Sequence, residues 1–225
     1  MRCLTVMLAG LLSTSLALPE TGLAEISAVD RHAIGQISYG ANRAGSAICT
    51  GTLVTERLVL TAAHCLRSQG NGQAMDPTDV TFAPGWQDGA APLLRRGAEV
   101  ILSGGSGLAS DLALLVLDAP VPSEIALPIP LVQGQPAGTL SFIGYDREKP
   151  ERQYQATCPL LGAEGNVLGL GCEAVSGNSG APLLEETPQG WRLAGVMVAR
   201  SRLPGPIGSF AVVPGAEIIA HISQP

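Results

Sequence analysis

Apolar residues in this chain come in short runs, each too brief for an ordinary helix of about 10 residues or more. The runs occupy residues 33–39, 49–54, 57–65, 80–83, 98–102 and 112–117, then 140–145, 153–161, 166–172, 182–184, 191–199 and 209–213. Between them are spread 28 glycines and 17 prolines, as expected of many strands joined by tight turns. Apolar and polar positions alternate imperfectly, which suits barrel strands partly covered on both faces. Residues 216–222 form the one segment that reads as a helix. Pro120, Pro122, Pro128 and Pro130 cluster in what reads as an extended connector. The expectation is an all-β protein in two halves, residues 25–122 and 123–225, with a short C-terminal helix.

A chain of 225 residues can bury one large core or two smaller ones. With 46% apolar and 14% charged residues, it lacks the polar, highly charged composition of a disordered chain. The formal net charge is −6, Lys149 is the single lysine, and the cations cluster only at Arg95-Arg96. That balance argues against a nucleic-acid partner, which would need many phosphate-neutralising cations.

The amino terminus reads as an export signal. Met1-Arg2 gives a short positive start, residues 4–18 are apolar with only small polar interruptions, and Gly22-Leu23-Ala24 offers small residues for cleavage. The cut is placed after Ala24, with Ala17 the alternative site. The run falls short of the roughly 20 apolar residues that a membrane span needs. A secreted or periplasmic protein with no span after signal removal is expected.

Cysteine usage agrees. Cys3 leaves with the signal, and Cys49, Cys65, Cys158 and Cys172 remain, with three possible pairings. The local pairing, Cys49 with Cys65 and Cys158 with Cys172, closes two short loops and is the one expected. Each bridge should stabilise by about 2–4 kcal/mol. A zinc site would show close C-x-x-C pairs, and the sequence has none; no metal or other cofactor is expected.

Three stretches carry candidate chemistry. In TAAHC, residues 61–65, His64 sits at a strand end beside a cysteine that can be bridged back to Cys49. Such a bridge would fix the loop, and a general base needs fixed placement. His32 and His221 have no comparable setting. In SDLALLVL, residues 110–117, Asp111 heads an apolar run. It is either a turn residue or a buried partner that fixes the tautomer of His64. Asp76, Asp79, Asp88 and Asp118 lie in more turn-like or strand-end surroundings. In VSGNSGAPLL, residues 175–184, Ser179 is either the middle of an ordinary turn or a nucleophile. The amides of Gly177 and Ser179 can converge on one point as an oxyanion hole. The G-x-S-x-G elbow of α/β-hydrolases is not met, because Ala181 holds its last position, and the order His, Asp, Ser is wrong for that fold.

The series C-x-G-x-L-V…V-L-T-A-A-H-C, then S-D-L-A-L-L, then G-N-S-G-A-P resembles the trypsin-like (chymotrypsin-fold) serine peptidases, in particular bacterial exported members. The likeness spans roughly residues 33–223. It implies two packed six-stranded antiparallel β-barrels, with His64 and Asp111 from the first and Ser179 from the second meeting in the cleft. It implies acyl transfer to Ser179, with protein or peptide as substrate, and a monomer is expected.

The chain departs from the family at several positions. Asn178 stands where animal members carry the aspartate that receives a newly freed amino terminus, so that activation switch cannot operate here. Glu173 aligns with the base of the specificity pocket, which suggests a preference for Arg or Lys before the cut. Alternatively it points to solvent beside Cys172. Arg200 stands where the family usually has glycine, with Arg202 near. They narrow the pocket, pair with Glu173, or attract an acidic side chain, although Met197 replaces the histidine usual in glutamyl endopeptidases. Val198 replaces the serine that commonly touches the catalytic aspartate. The competing readings are a catalytically silent peptidase-fold binding module and a peptidase preferring acidic or small residues.

Overall fold

The computed structural model describes residues 29–40, 45, 49–68, 70–131 and 134–224. The expected signal segment, residues 1–24, and its cleavage sites lie outside the described residues.

Six strands build the first half: β1 (Ile34–Tyr39), β2 (Cys49–Leu53), β3 (Leu58–Thr61), β4 (Val80–Pro84), β5 (Arg95–Leu102) and β6 (Ala113–Leu117). They close into an antiparallel barrel in the order β1-β2-β3-β6-β5-β4. Closure removes sheet edges, and the small residues Gly35, Gly51 and Gly97 allow tight packing at the wall. A Cβ on Gly51 would come within 2.6 Å of Val59 and 2.7 Å of Ile37. Ile34, Ile37, Leu53, Leu60, Phe82, Leu114 and Leu115, which alternate between the two faces of the barrel wall, have no exposed surface.

The second half contains β7 (Leu140–Asp146), β8 (Lys149–Thr157), β9 (Leu160–Glu164), β10 (Val167–Leu170), β11 (Pro182–Thr187), β12 (Gly190–Arg200) and β13 (Ser209–Val212), followed by helix α1 (Ala216–Ile222). Its sheet runs β8-β7-β11-β12-β13-β10-β9 and is antiparallel throughout, so it holds seven strands where six were expected. The extra strand comes from the apolar run 153–161, which divides at Cys158-Pro159 into the end of β8 and the start of β9. Proline cannot donate to a ladder, so the pairing breaks there. All five residues of β9 are exposed, and it extends the sheet without walling the core.

Both expected disulfides form: Cys49–Cys65 and Cys158–Cys172. The second shows how the sheet is rolled. Cys158 follows β8 at one edge and Cys172 follows β10, five strands away, yet their Cα atoms are 4.8 Å apart. The Gly171 amide also donates to the Pro159 carbonyl across this seam. A flat sheet could not bring these ends together, since neighbouring strands are about 4.8 Å apart.

The proline-rich segment links the halves without regular structure. The Ile129 amide donates to Leu53 of β2, and the Leu193 amide of β12 donates to Pro130. Further links cross from β8: the side-chain Nε2 of Gln153 donates to the carbonyls of Arg31 and Ile34 and to the Tyr145 hydroxyl. The Tyr145 hydroxyl donates to the Trp86 carbonyl, and burial pushes its ionisation far above the ordinary tyrosine range. Among the described residues no helix is long and apolar enough to cross a membrane.

Candidate active site

Antiparallel neighbours β3 and β6 place the first two candidates on the same rim. Thr61 at the end of β3 is paired with Ala113 at the start of β6. The chain leaving β3 reaches His64 three residues later, and Asp111 lies two residues before that same rung. His64 sits in a single 3₁₀ turn, Ala63–Cys65, clipped to β2 by the Cys49–Cys65 bridge. Asp111 follows another such turn, Leu108–Ser110, and its amide closes that turn by donating to Leu108.

Three hydrogen bonds then lock the two segments together. The Ala63 amide donates to the Asp111 backbone carbonyl at 3.2 Å. The His64 amide donates to Asp111 Oδ1 at 2.8 Å, and His64 Nδ1 lies 2.7 Å from Asp111 Oδ2. An ionised carboxylate only accepts, so this pairing keeps the proton on Nδ1 and leaves Nε2 with a lone pair. The imidazole is half exposed while the carboxylate is mostly covered. Three other aspartates are engaged elsewhere: Asp76 accepts from Thr78, Asp88 pairs with Arg152, and Asp118 accepts from the Arg96 amide. The Thr78 bonds hold the Asp76 carboxyl below its usual range, and those of Arg152 and Gln87 do the same for Asp88.

Ser179 lies in the turn before β11 and is held by the first barrel. The Thr50 amide of β2 donates to the Ser179 carbonyl at 2.8 Å, and Thr50 Oγ1 donates to the Gly177 carbonyl at 2.8 Å. Thr61 Oγ1 in turn donates to the Thr50 carbonyl. Gly180 has φ +83°, and a Cβ there would come within 2.0 Å of the Thr50 carbonyl and 2.1 Å of Thr61 Oγ1. The Ser179 turn thus rests on the strand pair that leads into His64. The Ser179 hydroxyl itself makes no hydrogen bond with a described residue.

The amides of Gly177 and Ser179 are both left without an acceptor among the described residues. The Ser176 carbonyl accepts from the Arg147 amide at 2.8 Å. Because a trans peptide points its N–H opposite its C=O, this contact turns the Gly177 N–H away from Arg147. Gly177 has φ +106°, a conformation costly for any residue with a Cβ. A side chain there would also meet the Tyr145 carbonyl at 2.6 Å.

Asn178 between them is 1% exposed, and both polar atoms of its side chain have partners. Its Oδ1 accepts from the Tyr154 hydroxyl at 2.7 Å and the Val175 amide at 2.8 Å; its Nδ2 donates to the Tyr145 carbonyl at 2.9 Å. Burial raises the Tyr154 phenol above its ordinary ionisation range, so it remains a donor. Neither Tyr154 nor Thr50 was picked out by sequence; both act across distant elements.

Two cavities flank these groups. One of about 480 Å³ is lined by His64, Asp111, Arg67 and residues 105–108. The other, about 270 Å³, is lined by Ser179, Asn178, Val198, Arg200 and Arg202 among others. Val198 is buried and lines this cavity. Glu173 is exposed and lies outside that lining. Cys49, Cys65 and His64 have their donor atoms within 4.8 Å of one another. Both sulfurs are consumed by the disulfide, so one metal ligand remains there.

Comparison with known proteins agrees with this architecture. No curated protein sequence matches the chain. A solved Glu endopeptidase, in complex with MPD, superimposes with a TM-score of 0.69 at 20% identity, covering 85% of this chain and 89% of that one. At that identity the likeness shows the fold. The family model for trypsin matches residues 24–214, so the chain belongs to the trypsin family and is a serine-type endopeptidase.

Proposed function

We propose that the protein is an exported, monomeric endopeptidase that cuts protein or peptide substrates with Ser179 as nucleophile, His64 as base and Asp111 as the group that orients it. The observation that carries this reading is the two-point grip of Asp111 on His64, at the backbone amide and at Nδ1. Ser179 Oγ attacks the scissile carbonyl carbon while its proton passes to His64 Nε2. The oxyanion that forms is met by the amides of Gly177 and Ser179. Collapse breaks the C–N bond, and His64 hands its proton to the departing amine. Water then adds to the acyl-enzyme by the same route, releasing acid and restoring Ser179. The cycle needs no metal. Two disulfides support export, since such bridges persist in oxidising compartments.

A fluorophosphonate probe followed by peptide mapping tests the assignment. The adduct is expected on Ser179 alone; a folded protein that stays unlabelled would return the binding-module reading to the front.

For the residue before the cut, the cavity favours an acid over the Arg or Lys suggested by Glu173. Arg200 and Arg202 line the cavity beside Ser179, no acidic residue among those described lines it, and Glu173 is exposed. The structural likeness to a Glu endopeptidase points the same way. A guanidinium contributes about 1.5–3 kcal/mol to a carboxylate it can hydrogen-bond. In a peptide library, cleavage after Glu or Asp is expected to dominate. Arg200→Ala should lower kcat/KM for those substrates by roughly 10- to 100-fold, with little change after Ala. Dominant cleavage after Arg or Lys would instead restore Glu173 as the determinant.

A further inference from the structure

An oxyanion hole works only if its two amides are held in place before the charge develops, because reorganisation during the reaction would consume the stabilisation. The turn carrying Gly177 and Ser179 is held from beneath by Asn178. That side chain is buried, neutral, and satisfied at Oδ1 and at Nδ2. Its partners are the backbone of the turn (Val175), β7 (Tyr145) and β8 (Tyr154). The backbone of Asn178 is tied as well, its amide donating to Val175 and its carbonyl accepting from Ala181. Tyr154 is itself fixed: its ring meets Phe142 edge to face, with centroids 5.4 Å apart.

These contacts close on one another within the second half of the chain. No ammonium group is called for, since the carboxamide presents its own donor to the Tyr145 carbonyl and its oxygen already holds two donors. We propose that Asn178 and Tyr154 form an uncharged latch that pre-sets the oxyanion-binding amides, so the site is assembled by folding alone. Tyr154 is the positioning residue of this latch. It touches no reacting atom and acts through Asn178. The inference rests on the reading of Ser179 as nucleophile.

Tyr154→Phe removes one oxygen from a half-buried ring and keeps its contact with Phe142. Asn178 Oδ1 then loses its phenol donor and keeps only the Val175 amide. The expected result is a fall in kcat of roughly 10- to 100-fold with KM within a factor of about two. A peptide boronate, which mimics the tetrahedral intermediate, should lose affinity by the same factor as kcat. A merely structural tyrosine would lower the melting temperature and leave both quantities unchanged per folded molecule. Asn178→Asp keeps the shape but turns the donor facing the Tyr145 carbonyl into an acceptor, and a larger loss is expected.

Hydrogen exchange of the unaltered enzyme gives a reading that needs no variant to fold. The amides of Arg147, Val175 and Asn178 should be protected to the level of the β11–β12 ladder without any ligand. Rapid exchange there, slowed only by an active-site inhibitor, would overturn the latch. So would Tyr154→Phe with unchanged kcat and boronate affinity. Fluorophosphonate labelling of the same parent sample separates the two levels. A labelled parent with unaffected variants defeats the latch alone, whereas an unlabelled parent defeats the nucleophile assignment and the latch with it.

Discussion

Ser179→Ala is expected to lower kcat by about 10⁶-fold while moving the melting temperature by no more than a few degrees. The two effects separate because the hydroxyl is an unencumbered group. It lies in a partly open turn and makes no hydrogen bond with a described residue, so its loss orphans no partner. What holds the turn is backbone: the Ser179 carbonyl on the Thr50 amide, and Gly180 seated against Thr50 and Thr61. Residual turnover about 10³-fold above the uncatalysed reaction should persist, contributed by substrate binding and the oxyanion amides. Steady-state kinetics beside a thermal melt checks both halves. A variant that keeps more than a few per cent of parental kcat would remove Ser179 from the mechanism.

Asp111→Asn should cost about 10⁴-fold in kcat, again with the fold intact. The reason is specific to the two-point grip. An asparagine has one acceptor and one donor end, and both carboxylate oxygens here accept, one from the His64 amide and one from Nδ1. If the side-chain oxygen stays on the backbone amide, the NH₂ faces Nδ1 and forces the proton onto Nε2. That tautomer has no lone pair for the Ser179 proton. If the amide turns over, its NH₂ confronts a fixed backbone N–H, a repulsion that would displace the His64 turn. Neither orientation yields a base. Kinetics and a fluorophosphonate time course should both slow while circular dichroism stays unchanged; wild-type labelling rates would refute the orienting role.

Much of this could be read in the chain because the relevant signals are local. TAAHC joins a strand end, a bridging cysteine and an imidazole within five residues, and the glycines around Ser179 announce a turn with positive φ. Strand positions followed from apolar runs, and the helix from its spacing. The β8–β9 division was less legible, because Lys149–Thr157 is polar and only Pro159 marks the break. Tyr154 and Thr50 left no signal at all. The first bonds Asn178 across 24 positions and the second bonds Gly177 across 127, and such long-range pairs leave no periodicity in either segment. The sequence left Glu173 between a pocket and a solvent-facing reading for a related reason: alignment by count supplies a position along the chain but says nothing of which way a side chain points. It is exposed beside Cys172, while Arg200 and Arg202 line the cavity.

Both disulfides stay within their own half, so apart from the connecting segment nothing covalent joins the shelf formed by Thr50 and Thr61 to the serine that rests on it. With the proposed export and triad, a chain crossing amino terminus first presents the imidazole early and the serine late, and the two are strangers until the earlier barrel has closed. On that reading the enzyme carries its own safeguard against premature cutting. A half-finished molecule has no blade, and proteolysis itself becomes the report that the last strand has found its place.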